Sequence, residues 1–114
     1  MINLTDIVQK LDLKVVSGDI DREISAGYSS DLLSDVIANA RKDNIWITLQ
    51  IHINIIAVAN LQELGGIILV NGRKPEEATL KKAIQENIPL LLTELPTFEV
   101  VGRLYELGIH GNER

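Results

Sequence analysis

Apolar positions recur along this chain in two periods, and the change of period marks its elements. Ile45-Trp46-Ile47-Thr48-Leu49 is a compact apolar run, Gln50-Ile51-His52 a polar corner, and Ile53 to Leu64 an almost wholly apolar helical pattern. Gly65-Gly66 closes the helix, and a second apolar run, Ile67-Ile68-Leu69-Val70, ends at Asn71-Gly72-Arg73. Strand, helix and strand with tight corners predict a βαβ unit. Both polar corners then fall at the carboxyl ends of neighbouring parallel strands, the edge where open α/β sheets usually hold ligands.

The flanks read by the same rules. Leu4, Ile7, Val8 and Leu11 predict a short amphipathic helix that Asn3 or Thr5 caps. Asp12–Val16 and Ile20–Ser25 alternate as short strands paired with each other across Gly18-Asp19, and Ala26-Gly27-Tyr28 reads as a loop. Ser29 or Ser30 caps a helix that buries Leu32, Leu33, Val36, Ile37 and Ala40, with Asp31 in its first turn. Lys74-Pro75-Glu76-Glu77 starts a helix that buries Leu80, Ala83 and Ile84, pairs Glu77 with Lys81, and ends at a left-handed Asn87. Pro89–Thr93 is a third buried strand. Pro96–Leu107 is a last helix burying Phe98, Val101, Leu104 and Tyr105, with Val100 at its margin.

Buried strands separated by helices require crossovers, hence a mainly parallel sheet with helices on its faces. The expected fold is a three-layer α/β/α single domain built from βαβ units, with a short N-terminal helix and two short strands. Residues 1–114 form that domain, with a core at about 4–107 and a frayed tail at 108–114. The helix over Ile53–Leu64, with its stripe of Ile53, Ile56, Ala57, Asn60, Leu61 and Leu64, is too apolar to face water. Either the N-terminal elements or another subunit must cover it.

Composition narrows the function classes. The 114 residues are 46% hydrophobic and 24% charged, the balance of one globular domain. A net charge of −5, with the positives scattered, argues against nucleic acid as a partner. There is no cysteine, so thiolate catalysis and cysteine metal sites are excluded. The first residues do not form a signal peptide, and no apolar run approaches the ~20 residues of a spanning helix, which predicts a cytoplasmic protein without a membrane partner.

The candidate chemistry gathers at the two corners. His52, beside Gln50 and Asn54, is either a proton carrier or metal ligand, or a corner residue that caps the helix start. Asn71-Gly72-Arg73 is either a plain turn or a backbone concavity in which Arg73 draws an anion. Thr48 and Thr93 lie near the same edge, either as hydroxyl donors to a ligand or as partners of local backbone groups. Asp31, Ser34 and Asp35 read as a solvated face rather than a metal or acid–base site. No nucleophile motif, dinucleotide fingerprint, phosphate-binding loop or paired-histidine motif is present, so no catalytic residue, metal ligand or cofactor is assigned.

One family shares this order of motifs. Asp21-Arg22-Glu23-Ile24, Gly27-Tyr28-Ser29-Ser30-Asp31-Leu32-Leu33-Ser34-Asp35, Trp46–Gln50, Ile68–Gly72, Ile88–Thr93 and Thr97-Phe98-Glu99 together resemble the DRTGG domain, over about Leu4 to Leu107. Such domains are similar to the N-terminal, non-kinase domain of HPr kinase/phosphorylase and occur beside CBS domains. At the family's naming positions this chain reads Gln50-Ile51-His52 and Val70-Asn71-Gly72, so only the final glycine is kept and the arginine fork is lost. The resemblance implies a non-catalytic regulatory or ligand-sensing module that acts through partner proteins or self-association. It is expected to be a homo-oligomer, a dimer for preference, with a small anionic or nucleotide-like ligand at Thr48, Gln50, His52, Asn54, Asn71, Gly72, Arg73 and Thr93. Two alternatives stand beside it. One is a small enzyme using His52 with Arg73 and Asn71 on an anionic substrate; the other is a purely structural subunit.

Overall fold

The structure, a computed structural model, describes residues 1–113; Arg114, which belongs to the expected tail, lies outside the described residues. A two-residue strand, β1 (Ile2–Asn3), leads into α1 (Leu4–Leu11). The Asn3 side chain caps α1 by accepting the Thr5 N–H at 2.9 Å, and Leu4, Ile7 and Leu11 are buried. After β2 (Lys14–Ser17) and β3 (Glu23–Ile24), strand and helix alternate: β4 (Ala26–Ser29), α2 (Leu33–Asn39), β5 (Asn44–Thr48), α3 (Asn54–Leu61), β6 (Gly66–Leu69), α4 (Glu77–Gln85), β7 (Leu90–Leu92) and α5 (Thr97–Glu106).

The main sheet runs β2-β7-β6-β5-β4, parallel from β7 to β4, with β2 antiparallel to β7. Alternation along the strands sends Ile45, Ile47, Ile68, Val70 and Leu91 to one face, onto α1 and α5. Trp46, Ile67, Leu69 and Leu90 go to the other, onto α2, α3 and α4. Each fully buried Ile or Leu contributes about 1.5–3 kcal/mol, so this two-sided core dominates stability. The three-layer α/β/α single domain expected from the pattern is the observed architecture.

Several local expectations are overturned. Ala26–Ser29 is not a loop but a strand in parallel register with β5, Ala26 opposite Asn44 and Ser29 opposite Ile47. Small residues there hide the strand, because β5 and the chain's last residues supply its packing. Asp12–Val16 and Ile20–Ser25 do not pair with each other. The first becomes β2 against β7, while only Glu23–Ile24 is extended in the second, paired with Ile2–Asn3. Gly18, at φ +86, explains the exchange: it lies against the backbone of Ile88 and Pro89, where a side chain would collide, so the turn delivers β2 to β7.

The helices also differ in register. α3 needs no second subunit, since α2 and α4 flank it and bury Ile55, Ile56, Val58 and Ala59, while Ala57, Asn60 and Leu61 of the expected stripe face solvent. α4 begins after Pro75 and buries Thr79 and Ala83, leaving Ile84 exposed; Lys82 pairs with Glu86 at 3.6 Å in place of Glu77 with Lys81. Asn87 is left-handed as expected, at φ 54. α5 buries Val100 and Leu104 and turns Phe98, Val101 and Tyr105 outward. The expected tail is docked over 109–112. Ile109 is buried, the Gly27 N–H donates to the His110 carbonyl at 2.8 Å, and Asn112 exchanges hydrogen bonds of 2.8 and 3.0 Å with the buried Asn44 side chain.

Candidate functional site

The carboxyl edge of the parallel strands carries two corners. At the ends of β4 and β5 the organiser is Asp31, which lies ahead of α2 rather than in its first turn. Its Oδ1 accepts the Thr48 hydroxyl at 2.9 Å and the Leu49 N–H at 2.7 Å. Gln50 donates its side-chain amide to the Asp31 carbonyl at 2.8 Å, and its N–H to the Thr48 hydroxyl at 3.2 Å. Thr48 is 1% exposed, so this knot ties the β4 and β5 loops from inside. The next polar group along, His52, accepts the Asn54 N–H at Nδ1 (3.2 Å) and so caps α3, which Asn54 begins. Thr79 reaches in from α4 to the Ile51 carbonyl at 2.7 Å and fixes that helix to the same corner.

Beside the knot, the Tyr28 hydroxyl sits 2.9 and 2.8 Å from the two oxygens of Asp35, and Asn39 donates to Asp35 at 2.9 Å. Hydrogen bonding from Ser30, Tyr28 and Asn39 holds the Asp35 carboxyl below its ordinary range. Burial, then the neighbouring carboxylate, pushes the Tyr28 hydroxyl above its own.

The second corner is built on a tight turn after β6. Arg73 N–H closes on the Val70 carbonyl at 3.1 Å, with Asn71 at φ 62 and Gly72 at φ 71, the geometry of a type I′ turn. The Asn71 and Gly72 N–H groups donate to the Leu95 and Thr93 carbonyls at 2.8 and 3.0 Å. They hold the β6 and β7 loops together and leave no backbone concavity open to an anion. Glu94 lays its carboxylate against Gly72, where any side chain would displace it. The Thr93 hydroxyl accepts the Leu95 N–H at 3.1 Å.

A cavity of about 560 Å³ opens beside this turn. Gly72, Arg73 and Lys74 line it after β6, and Thr93, Glu94 and Leu95 after β7. Asp12 comes from the end of α1, Lys14 from the start of β2, and Arg103 from α5. Four cations thus face two carboxylates, in a chain whose net charge is −5. Among the described residues Arg103 pairs with Glu99 at 3.9 Å, whereas Lys14, Arg73 and Lys74 have no ion-pair partner within 4 Å. Unpaired cations converging on a concave surface attract anions, and the arginine fork suits a carboxylate or phosphate.

The eight residues expected at one site are therefore divided. Gly72, Arg73 and Thr93 line the cavity, with Asn71 in the turn that shapes it. Thr48 and Gln50 belong to the Asp31 knot; His52 and Asn54 form the start of α3, and His52 does not line the cavity with Arg73. Sequence reasoning missed Lys14 and Arg103, which only the β2–β7 pairing and the docking of α5 bring there. Lys74 carried a readable signal, since it follows Arg73 directly. Among the described residues no three His, Asp or Glu side chains are grouped to hold a metal ion.

No protein-family model matches the chain, and no curated protein sequence does. Its fold is similar to a solved structure of the CBS and DRTGG domains of the regulatory region of Clostridium perfringens pyrophosphatase, in complex with an activator, diadenosine tetraphosphate. The TM-score is 0.73 at 15% identity, over 90% of this chain and 45% of that one. This chain thus spans less than half of that neighbour, and its architecture is a DRTGG-like fold. Among the described residues no helix is long and apolar enough to cross a membrane.

Proposed function

We propose that this chain is a non-catalytic regulatory module that senses a small anionic ligand in the cavity beside Arg73 and passes the signal to partner proteins or to a second copy of itself, in the cytoplasm. One observation carries the reading: Lys14, Arg73 and Lys74 line a common cavity of about 560 Å³ without ion-pair partners among the described residues. That volume suits a ligand of nucleotide size. The fold neighbour, whose regulatory region was solved with diadenosine tetraphosphate, makes adenine polyphosphates the first probes. The non-catalytic part of the reading is supported by the separation of His52, the histidine of the enzyme alternative, from the cationic cavity.

Thermal-shift and calorimetric titration with ATP, diadenosine tetraphosphate and acetyl phosphate test the proposal. A ligand at 100 times its dissociation constant adds about 2.7 kcal/mol to stability. A dose-dependent shift that weakens with added salt is expected. Stability unchanged by every anion would overturn the sensing role and favour a purely structural subunit. Turnover of a bound acyl phosphate or nucleotide would restore the enzyme reading.

A further inference from the structure

We infer that the cavity beside Arg73 takes a two-headed anion, with two oxyanionic groups about 10 Å apart joined by an uncharged span. The inference rests on the anion-sensing role proposed above and names its ligand class. The sheet sets the separation. Lys14 of β2 stands opposite Leu92 of β7, and Leu92 stands opposite Leu69 of β6, so the three share one row. Neighbouring strands lie about 4.8 Å apart, and the row from Lys14 to Leu69 therefore spans about 10 Å.

Arg73 and Lys74 belong to the far end of that row. Val70 follows Leu69, and the type I′ turn that it opens closes at Arg73. The cavity thus has one cationic pole on the β2 side of β7 and another on the β6 side. Asp12, also in the lining, lies two residues before Lys14 and weakens that pole. Arg103 is engaged by Glu99 at 3.9 Å. Arg73 and Lys74 therefore anchor an oxyanion, and Lys14 distinguishes a long ligand from a short one.

Between the poles the lining is acidic. Thr93, Glu94 and Leu95 continue β7 into the cavity, and Glu94 has no ion-pair partner within 4 Å among the described residues. A lone phosphate drawn to the centre by both poles would meet that carboxylate at short range, where repulsion is strongest. An anion charged at its two ends instead meets a cation at each, and lays a neutral middle past Glu94. A cavity of about 560 Å³ has room for a ligand of that length.

Alkane diphosphonates separate span from charge, since methylene and hexamethylene diphosphonate carry the same two heads on a short and a long uncharged span. Calorimetric titration of the whole chain at low salt is expected to show about tenfold tighter binding of the long one, the worth of one added charge-assisted bond. Lys14→Ala should bring that preference to within about twofold. Glu94→Gln should raise affinity for tripolyphosphate, whose middle is charged, about tenfold more than affinity for hexamethylene diphosphonate. Both side chains are exposed and have no ion-pair partner among the described residues, so both variants should keep the wild-type circular dichroism. Equal affinity for the two diphosphonates, or a preference that Lys14→Ala leaves in place, overturns the two-headed ligand while anion sensing stands. A Glu94→Gln variant that gains nothing on tripolyphosphate overturns the uncharged span. A chain that binds neither the diphosphonates nor tripolyphosphate loses the sensing role and this inference together.

Discussion

At the end of β5 the polar groups have partners within the chain. Asp31 holds Thr48 and Leu49, Gln50 holds Asp31, and His52 holds Asn54. At the end of β6, one strand away, the backbone is equally well satisfied but the side chains are not, since Lys14, Arg73 and Lys74 surround open space. The two corners share an edge, and both looked alike as clusters of ligand-competent residues. A ligand at the first would have to break bonds worth about 1–3 kcal/mol each before gaining any. At the second it meets charges already directed at solvent. Polar residues at a strand edge thus mark a site only where their bonding capacity is left over.

The largest expected effect breaks the closed corner. Asp31→Ala strands the buried Thr48 hydroxyl and the Leu49 N–H, and should lower unfolding free energy by about 3 kcal/mol. Denaturant melts check this, and anion affinity should not change once the protein is folded. A loss below about 0.5 kcal/mol, the usual range of a bland surface change, would show that the knot is ornamental.

Next comes the open corner. Arg73→Ala should weaken anion binding about tenfold to a hundredfold, the worth of one charge-assisted bond of about 1.5–3 kcal/mol. Stability should stay within about 0.5 kcal/mol, because Arg73 has no ion-pair partner to abandon among the described residues. Equal affinity in wild type and variant, measured calorimetrically at low salt, would remove Arg73 from the site.

His52→Ala sharpens the boundary between the corners. Loss of the α3 cap should cost about 0.5–1 kcal/mol and leave anion affinity untouched. A parallel drop in affinity would join His52 to the ligand site and make the two corners one.

The smallest effect is in pH. Asp35 titrates below its ordinary 3.8, so between the folded and unfolded values the unfolded chain binds more protons. Its contribution is whole above the unfolded value and is lost as pH falls through the folded one. Tyr28 has the opposite sense: raised above 10.0, its contribution is whole below that value and is lost as pH rises through the folded one. Asp35→Asn should flatten the acid limb of the stability profile. An acid limb superimposable on the wild type would remove Asp35 from it.

Much of this was legible in the chain. Contiguous apolar runs fixed β5, β6 and β7, and their spacing required the crossovers, because a strand buried on both faces advertises itself residue by residue. β4 was not legible: Ala26-Gly27-Tyr28 carries little apolar content and is a strand only because β5 lies beside it. The burial phase of α5 was misread for a related reason. Phe98 and Tyr105 have the larger apolar rings, yet it is Val100 and Leu104 that are buried against the sheet and α1. Of the candidate site, Gly72, Arg73 and Thr93 announced themselves by falling at strand ends. Lys14 and Arg103 reach the cavity through antiparallel pairing and helix docking, which no local spacing encodes.

The docked segment at 109–112 has a further consequence. β4 closes the sheet on one side, and an unpaired outer strand is a template on which foreign strands can grow. The His110 carbonyl takes up the Gly27 N–H there, while Asn112 is latched to Asn44 in the interior, so the last residues work as a selvage that keeps the woven edge from unravelling into fibres.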